Sequence, residues 1–204
     1  MGGGVVAGGV LRVCLAIASA LSLAACAARD PLVSSSQAKP AGNWRIERQV
    51  DRVTGAPLTS AFLTSRSSAN SAIAFAQPVT LQLLCFKAQP LVRLAFQFKI
   101  GSNRNSTLGY RFDDKPGREA DARFLQDFRT VVIEDQAEVA RFGGELAASN
   151  ALYVRIRSLN AGRSSAEFRL DGAPAAIEAA FAGCPPKSEP TRRRRAQAGT
   201  RPAT

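Results

Sequence analysis

The strongest pattern along the chain is strict alternation. Val92, Leu94, Phe96, Phe98 and Ile100 are separated by Arg93, Ala95, Gln97 and Lys99. That period of two puts one set of side chains on a buried sheet face and the other in water. The apolar run from Val79 to Lys87 precedes it, divided from it by Ala88-Gln89-Pro90, so the two segments are predicted to form a hairpin. Leu108, Tyr110 and Phe112 share one face of a strand over 107–112. Leu152, Val154 and Ile156 alternate with Tyr153, Arg155 and Arg157, and Phe168 and Leu170 alternate with Glu167 and Arg169. A β-branched run from Phe128 to Ile133, an early strand at Trp44 and Ile46, and a partner from Leu58 to Thr64 bring the total to about eight strands. The expected fold class is mainly β, a β-sandwich or curled antiparallel sheet.

Two short helices interrupt this pattern. The first lies within Asp135 to Asn150, where Asp135-Gln136-Ala137-Glu138 reads as a D-x-x-E capping signal. Val139, Phe142 and Leu146 share its apolar face, although Gly143-Gly144 weakens its middle. The second runs from about Pro174 to Ala182, with Pro174 suited to the first turn and Gly183 to the end. Ile177 and Phe181, four apart, are expected to pack on the sheet, and Cys184 follows directly.

Composition narrows the chemistry. The chain has 204 residues, 46% of them hydrophobic, which suits one globular domain with appendages. It contains no His, which removes the commonest general base and metal ligand and every Ser-His or Cys-His catalytic pair. No CxxC or G-x-S-x-G motif occurs, and no phosphate-binding Gly loop outside the first residues. An enzyme is not expected, and no catalytic residue, cofactor or metal is assigned. Asp113, Asp114, Glu119 and Asp121 cluster, but Lys115, Arg118 and Arg123 are interleaved among them. Calcium loops need oxygen ligands without such cations, so a solvated turn is the expected reading.

The N-terminal segment points to export. Arg12 precedes an uncharged, mostly apolar run that reaches Ala28, 16 residues in all. A membrane-spanning helix needs about 20, so the run reads as a signal-peptide h-region. Its end, Leu23-Ala24-Ala25-Cys26, resembles the bacterial lipoprotein lipobox. The resemblance implies residues 1–25 as signal peptide, cleavage before Cys26, and lipidation of that thiol and the new amine. Ala27 and Ala28 then favour the outer membrane by the family's sorting rule. The alternative is an ordinary A-x-A cleavage site beside an unrelated Cys.

Of four cysteines, Cys14 leaves with the signal and Cys26 takes the lipid. Cys85 and Cys184 remain, 99 residues apart, and in an oxidising compartment a disulfide between them is the default. Closing a loop of that length stabilises a fold by roughly 4–5 kcal/mol in the chain-entropy model.

The mature chain then divides into three. Residues 26–42 read as the lipidated Cys and a flexible tether, 43–184 as the β-rich domain, and 185–204 as a disordered basic tail without Val, Ile, Leu or an aromatic. Of the formal charge of +11, the tail carries +5 and residues 26–184 another +5. The run Arg192, Arg193, Arg194 and Arg195 is a candidate for binding an anionic surface. Nucleic acid is not expected as a partner, because no aromatic residue accompanies the run for stacking.

Several segments in order carry a family likeness: N-W-R-I-E-R (Asn43–Arg48), L-Q-L-L-C (Leu81–Cys85), Y-R-F-D (Tyr110–Asp113) with Pro116, L-Y-V-R-I (Leu152–Ile156) and A-E-F-R-L-D-G (Ala166–Gly172) before a closing Cys184. Together they resemble the type VI secretion-associated minor proteins and, more loosely, the invasion-associated locus B proteins. That resemblance implies a small periplasmic β-rich domain without a catalytic site.

Three functions follow as expectations. The first is a non-enzymatic, lipid-anchored protein on the periplasmic side of the outer membrane. It would be an interaction or accessory domain of an envelope or secretion-associated assembly, with an envelope protein as partner. The second is a binder of anionic phospholipid, lipopolysaccharide or peptidoglycan through the Arg tail and the basic strand faces at Arg93, Lys99, Arg155 and Arg157. The third is an inhibitor of a cell-wall lytic enzyme.

Overall fold

The alternating segments all lie in antiparallel sheets. The computed structural model describes residues 33–75 and 77–186. Cys26 and Arg192, Arg193, Arg194 and Arg195 lie outside them, as do the segment read as a signal peptide and residues 187–204. In chain order the elements are β1 (Val33–Ala41), β2 (Trp44–Asp51), β3 (Pro57–Thr64), β4 (Ser67–Asn70), β5 (Thr80–Phe86), β6 (Gln89–Ala95), β7 (Ser106–Phe112), β8 (Arg118–Ala120), β9 (Arg123–Phe124), β10 (Thr130–Ile133), α1 (Gln136–Ala147), β11 (Ala151–Ser158), β12 (Gly162–Arg169) and α2 (Ala173–Phe181). A seven-stranded sheet has the order β1-β2-β3-β5-β6-β10-β9, and a five-stranded sheet β4-β12-β11-β7-β8.

The two sheets face each other across one core. Trp44, Leu63, Leu81, Leu94 and Val131 are register partners across the larger sheet and all are buried. Leu108, Tyr110 and Phe112, Leu152, Val154 and Ile156, and Phe168 supply the inner face of the smaller sheet. This is the mainly β, sandwich-like architecture that the alternation predicts. Burying the polar partners of these residues instead would need only a one-residue slip, so the two-sided pattern itself holds the register.

Asp135 caps α1, its carboxylate accepting from the Glu138 amide at 2.9 Å. Val139, Phe142 and Leu146 are fully buried, as their spacing predicts. In α2, Ala173, Ala176, Ala180 and Phe181 are buried and Ile177 is half-buried against the same core. Gly172 stands at the start of α2 with φ +91°, and a Cβ there would run into the Ala41 carbonyl oxygen. Gly42 (φ +58°) meets Asp171 in the same way, and the Asn43 amide donates to the Asp171 carbonyl at 2.9 Å. Two glycines thus let the β1–β2 turn and the entry to α2 touch backbone to backbone.

Beyond α2, Cys184 is bonded to Cys85 on β5, with their Cα atoms 6.0 Å apart. Cys85 lies toward the end of the larger sheet where Val33 pairs with Asp51. Both described ends of the chain therefore leave the sandwich at the same end.

Four features depart from the sequence expectation. Residues 33–41, expected as flexible tether, form β1 along β2. Ser-Ser-Ser-Gln-Ala-Lys has no apolar alternation to betray a strand; main-chain pairing to β2 makes it one, and Pro40 is tolerated because β1 is an edge. The ladder of β6 stops at Ala95. Phe96 and Ile100 keep alternate burial, but their amides donate to the loop carbonyls of Arg129 and Phe128. Phe128 itself is not in a strand: it has φ +58° and is half-exposed in the turn before β10. The β5–β6 hairpin turns at Lys87-Ala88, both with positive φ, and Pro90 belongs to the strand. This is the twist-matched two-residue turn, here made without its usual Asn or Gly.

Candidate functional site

The charged residues of β7, β11 and β12 share the outer face of the five-stranded sheet. Because side chains alternate, burying Leu152, Val154 and Ile156 sends Tyr153, Arg155 and Arg157 outward. Register then sets their neighbours. Tyr153 pairs with Arg111 on β7 and Glu167 on β12. Arg155 pairs with Gly109 and Ser165, and Arg157 pairs with Thr107 and Arg163. β4 and β8 rim the sheet on its two sides, placing Ser67 beside Glu167 and Glu119 beside Gly109.

The result is an open tray of about 710 Å³ whose lining includes Arg111, Tyr153, Arg155, Arg163, Glu119 and Glu167. The Arg111 guanidinium carbon lies 4.8 Å from the centre of the Tyr153 ring, a cation–π contact that orients both groups. Arg155 reaches back across β7: one of its guanidinium nitrogens lies 3.6 Å from where a Cβ on Gly109 would stand. Ser67 Oγ donates to Glu167 Oε2 at 3.5 Å, a long contact. Among the described residues, Arg111, Arg155, Arg157 and Arg163 have no carboxylate at ion-pair distance. Other surface arginines do. Arg118 reaches Glu145 at 3.0 Å, and Arg123 grips both Glu134 oxygens at 2.7 Å, which holds the Glu134 carboxyl below its ordinary range.

This corrects the grouping of basic strand faces. Arg155 and Arg157 share the tray side, whereas Arg93 lies on the outer face of the larger sheet, donating to Gln82 at 3.2 Å. Lys99 belongs to the loop after β6, at the edge of a separate depression of about 440 Å³ lined by Ile73, Phe98 and Phe128. Sequence alternation could not group Arg111 and Arg163 with Arg155, because that needs the pairing of three strands. Arg163 in particular lies outside the alternating segments, before the one that holds Glu167 and Arg169.

Asp113 stands in the turn expected there, and its side chain has a further role. Its carboxylate accepts from the amides of Asn150 (3.0 Å) and Ala151 (2.9 Å), tying the end of β7 to the start of β11. Asp114, Glu119 and Asp121 are exposed. Among the described residues no group of three or more His, Cys, Asp or Glu could hold a metal ion.

One buried polar cluster stands apart from the tray. Glu138, buried on α1, accepts from the Tyr110 hydroxyl at 2.7 Å and pairs with Arg141. Instead of closing the capping box, the Glu138 carboxylate turns inward and ties α1 to β7. Burial, then the hydrogen bond to Glu138, push the Tyr110 hydroxyl well above the ordinary tyrosine range. In the unfolded chain a tyrosine loses its proton near pH 10, so this contribution is intact below that pH and is lost as pH rises above it. Urea denaturation between about pH 9 and 11.5 should show stability falling above about pH 10. Tyr110→Phe should cost about 1–3 kcal/mol at neutral pH, because a buried carboxylate loses a donor, and should flatten that alkaline slope. Identical slopes in the two proteins would contradict the assignment.

Among the described residues, no helix is long and apolar enough to cross a membrane. Comparison with family models, with curated proteins and with solved structures found no match to this chain.

Proposed function

We propose that the chain is a non-enzymatic, lipid-anchored protein of the bacterial envelope, held on the periplasmic side of the outer membrane. Its sandwich serves as an interaction domain of an envelope or secretion-associated assembly. The observation that carries this reading is Leu23-Ala24-Ala25-Cys26 toward the end of the uncharged run that begins at Val13. Two or more acyl chains on Cys26 would anchor it stably, each buried CH₂ contributing about 0.8 kcal/mol. The exit of both described chain ends from one end of the sandwich supports it. A tie through residues 26–32 leaves the outer sheet faces and the far end open to a partner. The disulfide suits an oxidising compartment.

The tray favours a second reading, that the domain binds an anionic envelope component. Cross-linking in intact cells, followed by mass spectrometry of what stays bound to the full chain at high salt, separates the two. One or two stoichiometric envelope proteins support the first reading. Retention that disappears with salt, without a protein partner, supports the second.

A further inference from the structure

We propose that the tray on the five-stranded sheet is a binding site for an acidic glycan, a sugar chain carrying carboxylates. Arg111, Arg155 and Arg163 take the anions, and Tyr153, Glu119 and Glu167 take the sugar rings and hydroxyls. This deepens the second reading above and rests on it only for where such a glycan is met.

The charge arrangement comes first. Arg111, Arg155 and Arg163 rise from three adjacent strands, on a rigid face, with no carboxylate at ion-pair distance among the described residues. Guanidinium forks match carboxylates in a bidentate way, and those on strands are positioned before the ligand arrives. Arg157 and Arg163 stand directly opposite each other across β11 and β12. Like charges in that position destabilise a sheet. An anion between or beside them removes that penalty.

Positive charge alone would suit any polyanion. The two carboxylates in the same tray decide between ligands. Glu119 and Glu167 are part of its lining and have no ion pair among the described residues. They would repel an acidic peptide, but sugar hydroxyls can donate to them while their acids reach the arginines. Tyr153, held by Arg111, adds an apolar ring surface of the kind that sugar faces lie against. The tray is open, so a chain can pass through it.

The test is calorimetric titration of the full-length chain with tetragalacturonate at about 150 mM salt, where loose surface charge is screened. A second protein with Arg192, Arg193, Arg194 and Arg195 all changed to Ala removes the tail's contribution. Both proteins should bind. Arg155→Gln and Arg163→Gln should each weaken binding about tenfold, the loss of one charge-assisted contact. Glu167→Gln should also weaken it, and Arg93→Gln on the opposite sheet should leave it unchanged. Arg155→Lys keeps the charge but loses the fork, and should fall between Arg155 and Gln. Circular dichroism verifies the fold of each variant.

Several results would overturn the proposal: no binding at millimolar tetragalacturonate, equal binding of its neutral methyl ester, equal binding of polyglutamate, or tighter binding after Glu167→Gln. None of these touches the anchoring of the chain, since no lipid enters the experiment. Salt-sensitive retention on envelopes that persists while tetragalacturonate binding fails would assign the anionic contact to the Arg tail instead.

Discussion

Replacing Cys85 and Cys184 together by Ser lowers the thermal midpoint by roughly 10–15 °C. The bond closes a loop of 99 residues, which includes every strand of the smaller sheet except β4. In the unfolded chain, that closure removes conformational freedom equivalent to about 4–5 kcal/mol, and removing native disulfides from secreted domains costs about 2–5 kcal/mol. In the folded state Cys184 follows α2 directly and is buried, so the bond holds the C-terminal helix against β5. Changing both residues avoids leaving a reactive free thiol. Melts of oxidised wild type and of the double variant, followed by circular dichroism at one pH, measure the difference. A shift of only one or two degrees would mean that the sandwich and α2 hold together without the cross-link.

The second large effect comes from Phe142→Ala, which should cost about 3–5 kcal/mol. Phe142 is fully buried and meets Tyr110 and Phe112 edge to face, with ring centres 5.1 and 5.2 Å apart. Its loss removes the transfer free energy of a whole ring and leaves a cavity between α1 and β7. The helix flanks that cavity with Gly143-Gly144, whose added Cβ atoms would meet nothing within 4 Å. α1 therefore has few neighbouring side chains with which to refill the space. Equilibrium urea denaturation gives the number, and hydrogen exchange should show the α1 amides losing protection first. A loss under about 1 kcal/mol would place the weight of α1 elsewhere.

The fold was legible where burial is one-sided. Leu108, Tyr110 and Phe112 against Thr107, Gly109 and Arg111, or Leu152, Val154 and Ile156 against Tyr153, Arg155 and Arg157, can form a half-buried strand in only one register. Asp135 announces α1 because capping is local chemistry, and Pro174 stands in the first turn of α2 as its fixed φ suggests. The remaining cysteine pair was legible by elimination. β1 was not, since Ser34 to Lys39 carry no apolar period and become a strand through main-chain hydrogen bonds to β2. Short β4, β8 and β9 escaped for the same reason.

The tray was legible only in part. Arg155 and Arg157 could be read as outward, because one strand's alternation suffices. Arg111, Arg163 and Glu119 join them through pairings with β7, β12 and β8, and cross-strand register between distant segments is a property of the fold rather than of any local window. Glu138 shows the opposite failure. The capping motif at Asp135 was legible, but which way the second acid turns depends on Tyr110, 28 residues earlier.

Anchoring is decided most directly by intact-mass spectrometry of the mature protein extracted from membranes of the producing cell. A chain beginning at Cys26, with the added mass of a diacylglyceryl group and a further acyl chain, is the expected result. A chain beginning at Cys26 without lipid, or one starting elsewhere and recovered from the soluble fraction, would contradict the account of a lipid-anchored envelope protein.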